Sequence, residues 1–142
     1  MIGEQIYDVV ENLVEMYETR DPFKLCRDLD MIVLFVPLVR VNGFYQRYEG
    51  QDIIYINESL SDEEKILVCA HELGHAILHN DINTISLTTH ISVESKYELE
   101  ANAFAIQLLQ EDLNLRSELP LVDWRPDNNA LLRRVNFQFS FL

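Results

Sequence analysis

Three residues within five positions carry the chemistry most easily read from this chain: His71, Glu72 and His75, in the segment His71-Glu72-Leu73-Gly74-His75. On a helix, histidines at i and i+4 project from one face, so two imidazole nitrogens can meet a single ion about 2.0–2.1 Å away. One Zn2+ is the cofactor this donor pair predicts. Glu72 follows His71 directly and points beside the pair. From there it is placed to take a proton from a water and hand it to a departing amine, the general-base part in peptide hydrolysis.

The motif also arises by accident, so its surroundings decide. At 100° per residue with His71 at zero, the polar side chains fall at roughly 0° for His71, 40° for His75, 80° for His79, 100° for Glu72 and 120° for Lys65. Ile66, Leu67, Cys69, Ala70, Leu73, Ala76, Ile77 and Leu78 take the rest of the circumference, with Val68 alone among the polar residues. Such a helix is predicted to be buried, and its polar stripe must then find partners inside the protein. His79 lies about 12 Å along the helix from His71, too far to share an ion with both other histidines. It is expected to be a rim or capping residue.

A catalytic zinc needs a third protein ligand and an open fourth position. In the breaker-free stretch from Glu94 to Gln110, with Tyr97 at zero, Leu99, Ala101, Ala105, Ile106, Leu108 and Leu109 define an apolar arc from about 0° to 200°. Glu98 falls inside that arc at about 100° and Asn102 at about 140°. A carboxylate there needs a cation. Glu98 is therefore the expected third ligand, with a salt bridge to a buried Lys or Arg as the alternative. Asn102 is expected either to orient a liganding histidine through its second nitrogen or simply to pack. Glu100, Ala103, Gln107 and Gln110 lie on the opposite side and are expected to face solvent. His90 sits between the two helices as a candidate to stabilise an oxyanion or as a solvated loop residue. Tyr45, Tyr48, Tyr55 and Tyr97 are further candidates for which aromatic packing is the simpler role.

The elements that must position these residues follow from the periodicity. Ile6, Val9, Val10, Leu13, Val14 and Tyr17 trace one face of a helix over roughly the first eighteen residues. Asp21-Pro22 reads as an N-cap with proline in the first helical position of a short second helix. Met31 to Val36, Gly43 to Tyr48 and Asp52 to Ile56 are candidate strands, the last two joined by Glu49-Gly50-Gln51 as a hairpin. Ser61 with Glu64 is a capping-box signature opening the metal helix, which runs from Asp62 to His79. Asn80 to Ser92 is rich in Asn, Ser and Thr and reads as a loop. From Glu111 onward the pattern weakens, and only the alternating end at Asn136 to Leu142 suggests a strand. The fold class predicted is α+β, a small three-stranded antiparallel or mixed sheet packed on helices, with residues 1–142 forming a single domain.

Composition narrows the function. Asp and Glu outnumber Lys and Arg by 24 to 11, giving a formal net charge of −13, which opposes binding to a phosphate backbone. No direct nucleic-acid partner is expected. The 48% hydrophobic content is enough for a core without disulfides. Cys26 and Cys69 form no C-x-x-C pair and suit buried, reduced positions. With no basic leader and no apolar run of about 18 residues, the chain reads as unexported and cytoplasmic, with no membrane partner.

Ala70-His-Glu-Leu-Gly-His-Ala-Ile-Leu-His79, followed by Tyr97-Glu-Leu-Glu-Ala-Asn-Ala-Phe-Ala-Ile-Gln-Leu-Leu109, resembles the ImmA/IrrE-type zinc metallopeptidases. Gly43-Phe-Tyr and Ile54-Tyr-Ile-Asn57 also look like the strands that precede the metal helix there. The resemblance implies a zincin-like active-site helix and metal ligands at His71, His75 and Glu98. It further implies a cytoplasmic, prophage- or mobile-element-encoded protease that cleaves or inactivates a helix-turn-helix transcriptional repressor. The length suits a compact antirepressor protease. The chain departs from the family after Leu109, where Gln110-Glu111 stands in place of the usual Met-Pro. Two other readings stay open. One is a metal-stabilised module that sequesters a repressor or antitoxin without cleavage. The other is a closed structural metal site, which has no need of Glu72.

Overall fold

In the computed structural model, which describes residues 2–79 and 91–109, the chain runs α1 (Ile2–Tyr17), α2 (Pro22–Asp28), β1 (Ile32–Val36), β2 (Gly43–Tyr48), β3 (Gln51–Asn57), α3 (Asp62–Leu78) and α4 (Ile91–Leu109). The predicted α+β class holds, with a mixed sheet. Helix α4 begins at Ile91, so Ile91 and Ser92 are helical rather than part of the expected Asn80–Ser92 loop. The rest of that loop, His90 and the residues from 110 onward lie outside the described residues.

Local chemistry sets the boundaries. Glu18 adopts φ 56° and donates its N–H to the Val14 carbonyl, ending α1 in a left-handed turn. Asp21 accepts from the Phe23 N–H ahead of α2, with Pro22 in its first turn. The Ser61 hydroxyl accepts from the Glu64 N–H while the Ser61 N–H donates to the Glu64 carboxylate, the reciprocal pair predicted for the start of α3. Tyr48 pairs with Gln51, so the hairpin has a two-residue turn, Glu49-Gly50, one residue shorter than expected. Both turn residues have positive φ, at 49° and 79°, which matches the twist of the flanking strands.

The strand order is β1-β3-β2, with β1 parallel and β2 antiparallel to β3. One face carries Tyr45, Ile54 and Ile56, all fully buried in a core shared with α3. On the other, Phe44 stacks on Tyr55 at 4.3 Å. Helix α3 packs against β2 and β3 as well as α4, and α1 closes over α4 with Ile6 and Val10. Arg20 ties the last two together: its guanidinium donates to the carbonyls of Gln107 and Leu108 at the end of α4 and pairs with Glu11 at 2.6 Å. Gln107, expected at the solvent face, donates to that same Glu11 carboxylate. Cys26 and Cys69, remote in sequence, meet in the core with sulfurs 3.8 Å apart, as free thiols. Burial first, and then the Cys26 thiol, push the Cys69 pKa well up, so it stays protonated and unreactive.

Helix α3 lies close to the sheet because Gly43 has no side chain. A Cβ there would overlap the Val68 methyl and come within 2.8 Å of the Tyr55 carbonyl oxygen. Gly43→Ala is expected to cost about 1–3 kcal/mol of stability through overpacking, read as a lower midpoint in urea unfolding. Gly3→Ala, where a Cβ meets nothing within 4 Å, serves as the comparison. Equal midpoints for the two variants would show that the β2–α3 approach is not tight.

Candidate metal centre

The structure brings His71, Glu72, His75 and Glu98 together at the α3–α4 interface. His71 and His75 are fully buried on α3, one turn apart. Glu98 reaches them from α4: its Oε2 lies 2.7 Å from His71 Nε2 and its Oε1 lies 3.2 Å from His75 Nε2. One donor atom from each of the three residues lies within 4.8 Å of the others. The close approach of α4 uses small residues. A Cβ on Gly74 would come 3.0 Å from Phe104 Cβ, and Ala101 and Ala105 are fully buried. Glu98 is met by the two imidazoles, not by the buried Lys or Arg of the alternative reading.

Some expectations for the surrounding residues need correction. His79 is 3% exposed rather than at the rim. It does cap α3, through its N–H to the His75 carbonyl, but its ring turns inward, with Nδ1 3.0 Å from His75 Nδ1 and Nε2 2.8 Å from Glu100 Oε1. Glu100 therefore pairs with His79 instead of facing water. The outer nitrogen of His75 is met by His79 and not by Asn102, which is nonetheless completely buried. At the edge of the predicted apolar arc, Leu99 is 52% exposed. Among the tyrosines, only Tyr97 adjoins the site, edge-on to His79 with centroids 4.5 Å apart. Tyr45 packs in the sheet and donates to Asp52, and Tyr48 is exposed. Lys65, assigned to the same polar stripe, lies over the Phe35 ring.

Burial pushes the His75 pKa down to about 4, against the opposing pull of Glu98, and burial likewise lowers that of His79. Both rings are then neutral near pH 7. Burial alone would raise Glu98, but His71 and then His75 outweigh it and hold the carboxyl well below its usual range. The chain Glu98–His75–His79–Glu100 has three links between two carboxylates. Each link needs one hydrogen, and two neutral imidazoles carry only two. One positive charge is missing. A divalent cation held by His71, His75 and Glu98 would supply it, so the donor set fits a metal ion.

Glu72 completes the group. It is 2% exposed, and its Oε1 has no hydrogen-bond partner among the described residues. Desolvation, followed by repulsion from Glu98, raises its pKa well above the carboxylate range. Helical-face reasoning places Glu100 outside this network, and the distance along α3 places His79 at its rim. The signal for them was the i, i+4, i+8 spacing of three histidines on one helix and the second carboxylate two residues after Glu98.

Purified chain is expected to retain a stoichiometric divalent ion after dialysis, measured by elemental analysis. His71→Ala and Glu98→Ala are each expected to bring it to background. Full retention by Glu98→Ala would remove Glu98 from the ligand set.

The family model for peptidase M78, described as the IrrE N-terminal-like domain, matches residues 26–121. The chain is 40% identical over 136 residues to "Uncharacterized immunity region protein 2" of Bacillus phage phi105, covering 94% of this chain and 85% of that protein. It is 31% identical over 116 residues to "Metallopeptidase ImmA" of Bacillus subtilis (strain 168), covering 80% of this chain and 68% of that one. Both helices that meet at the buried cluster lie within the span matched by the family, and the chain belongs to the ImmA/IrrE family of metallopeptidases.

Proposed function

We propose that this chain is a zinc-dependent endopeptidase, acting in the cytoplasm as a single catalytic domain, that cleaves a helix-turn-helix transcriptional repressor and so derepresses phage or mobile-element genes. The observation that carries the proteolytic part is Glu72: a buried carboxyl with an unpartnered oxygen beside two imidazoles and a carboxylate that share one centre. A site built only to hold an ion has no use for it. The repressor as target is supported by the phage immunity-region relative and by the relative named metallopeptidase ImmA.

Held by His71, His75 and Glu98, zinc would supply Lewis acidity, polarising the scissile carbonyl and acidifying a water. The protein's own residues do the rest. Glu72 accepts the proton of the attacking water and delivers it to the leaving nitrogen, and the raised pKa that burial gives it suits a group that must both take and give a proton. The helix around it excludes bulk water, with Val68, Leu73 and Ala76 all buried. Strand β2 is an edge of the sheet, and its first residue, Gly43, lies against Glu72. An extended substrate segment pairing with that edge would pass the base.

Incubation with the repressor encoded beside this gene, with and without a chelator, followed by mass analysis of fragments, tests the reading. The wild type is expected to cut and the chelated protein not to. Glu72→Gln is expected to keep its metal and lose at least about 10²-fold in cleavage rate. Undiminished cleavage by Glu72→Gln would overturn the mechanism. Relief of repression in cells by that inactive variant would favour sequestration of the repressor instead.

A further inference from the structure

His79 and Glu100 are not among the residues proposed to hold the metal or to move the proton, yet His79 is buried and Glu100 partly so, and they are hydrogen-bonded in series behind His75. We propose that they form a positioning dyad: Glu100, through His79, holds His75 in the tautomer that carries hydrogen on Nδ1 and leaves the Nε2 lone pair facing the metal. This role rests on the metal reading given above.

The direction of the chain follows from its outer end. A carboxylate only accepts, so the 2.8 Å link between Glu100 Oε1 and His79 Nε2 places the hydrogen on Nε2. A neutral imidazole has one N–H, which leaves His79 Nδ1 as an acceptor. The 3.0 Å contact between the two Nδ1 atoms then requires the hydrogen on His75. His75 Nε2 is left bare, on the side where Glu98 and His71 converge. The opposite order would set the His79 Nε2 lone pair against the carboxylate oxygen. His79 is held for this role by its own N–H to the His75 carbonyl, 2.8 Å away, and by the edge of Tyr97. Helix α4 thus supplies both ends of the arrangement, Glu98 at the site and Glu100 two residues on as the anchor.

Carboxylate–imidazole partners behind a liganding histidine are worth about 10–100-fold in metal affinity. The experiment titrates Zn2+ against a chromophoric chelator in the full chain, for the wild type, His71→Ala, His79→Phe, Glu100→Met and Glu100→Gln. His79→Phe and Glu100→Met are expected to weaken zinc binding by that factor, while Glu100→Gln, which keeps an acceptor oxygen, retains most of the affinity. A purely steric role for Glu100 predicts that Met and Gln behave alike. In parallel, ¹⁵N imidazole shifts of zinc-loaded wild type are expected to show hydrogen on His75 Nδ1 and on His79 Nε2, which reports the tautomers even if a variant does not fold. Zinc uptake by the wild type with equal affinity in Glu100→Met, or hydrogen found on His79 Nδ1, overturns the dyad and leaves the metal reading standing. Zinc uptake by neither the wild type nor His71→Ala overturns both.

Discussion

A carboxylate withdrawn from water between two packed helices costs several kcal/mol unless opposite charge or good hydrogen bonds meet it. Glu98 is in that position, and two imidazoles on the facing helix meet it at 2.7 and 3.2 Å. The pairing constrains more than the site. It fixes the rotation of α4 about its axis, because Glu98 must point at α3 while Ala101, Ala105 and Leu108 remain in the core. It fixes the register of the two helices as well, because one carboxylate must span side chains that are one turn apart. Close packing at Gly74 and Phe104 holds that register.

The rest of the fold keeps α3 in place between two surfaces. On one side the sheet reaches it through Gly43, where the lack of a side chain lets β2 lie against Val68 and Glu72. On the other, α4 is secured at its far end by Arg20, whose guanidinium satisfies two terminal carbonyls and pairs with Glu11 of α1. An arginine in the link between two N-terminal helices therefore steadies the helix that carries Glu98. Helix ends and glycines thus support the same geometry that the Glu98 pairing sets at the site.

Much of this was legible in the sequence, and the parts that were not have physical reasons. The capping box at Ser61, Asp21-Pro22 and the inward turn of Glu98 depend on local chemistry or on a single helical face, and they hold in the structure. The hairpin was one residue shorter than expected, because positive φ at Glu49 is invisible to a rule that looks for Asn-Gly or Asp-Gly. His79 caps α3 as expected, but the separation of about 12 Å from His71 along the helix axis does not show that its ring turns back to His75. Its backbone, at φ −133° and ψ 38°, has already left the helix, and its ring meets His75 and Glu100. Glu100 was assigned to solvent by the wheel of α4 alone, which contains no information about a side chain descending from the end of α3. Interhelical partners are a property of packing, and a one-helix projection does not contain it.

The hydrogen count along Glu98, His75, His79 and Glu100 adds something the H-E-x-x-H motif does not. A motif is a pattern that chance can produce, whereas a buried chain with a carboxylate at each end and two neutral rings between them lacks one positive charge wherever it occurs. The charge can arrive as a proton or as a metal ion, and burial opposes the proton by lowering the pKa of both His75 and His79. A cation at the inner end relieves the shortage where the His71 and His75 nitrogens and the Glu98 oxygens already converge. The outer pair then has the hydrogens it needs, and Glu72 is left beside the cation with an oxygen still unpaired. Electrostatics within the fold thus favours a cation between α3 and α4, next to Glu72 on α3.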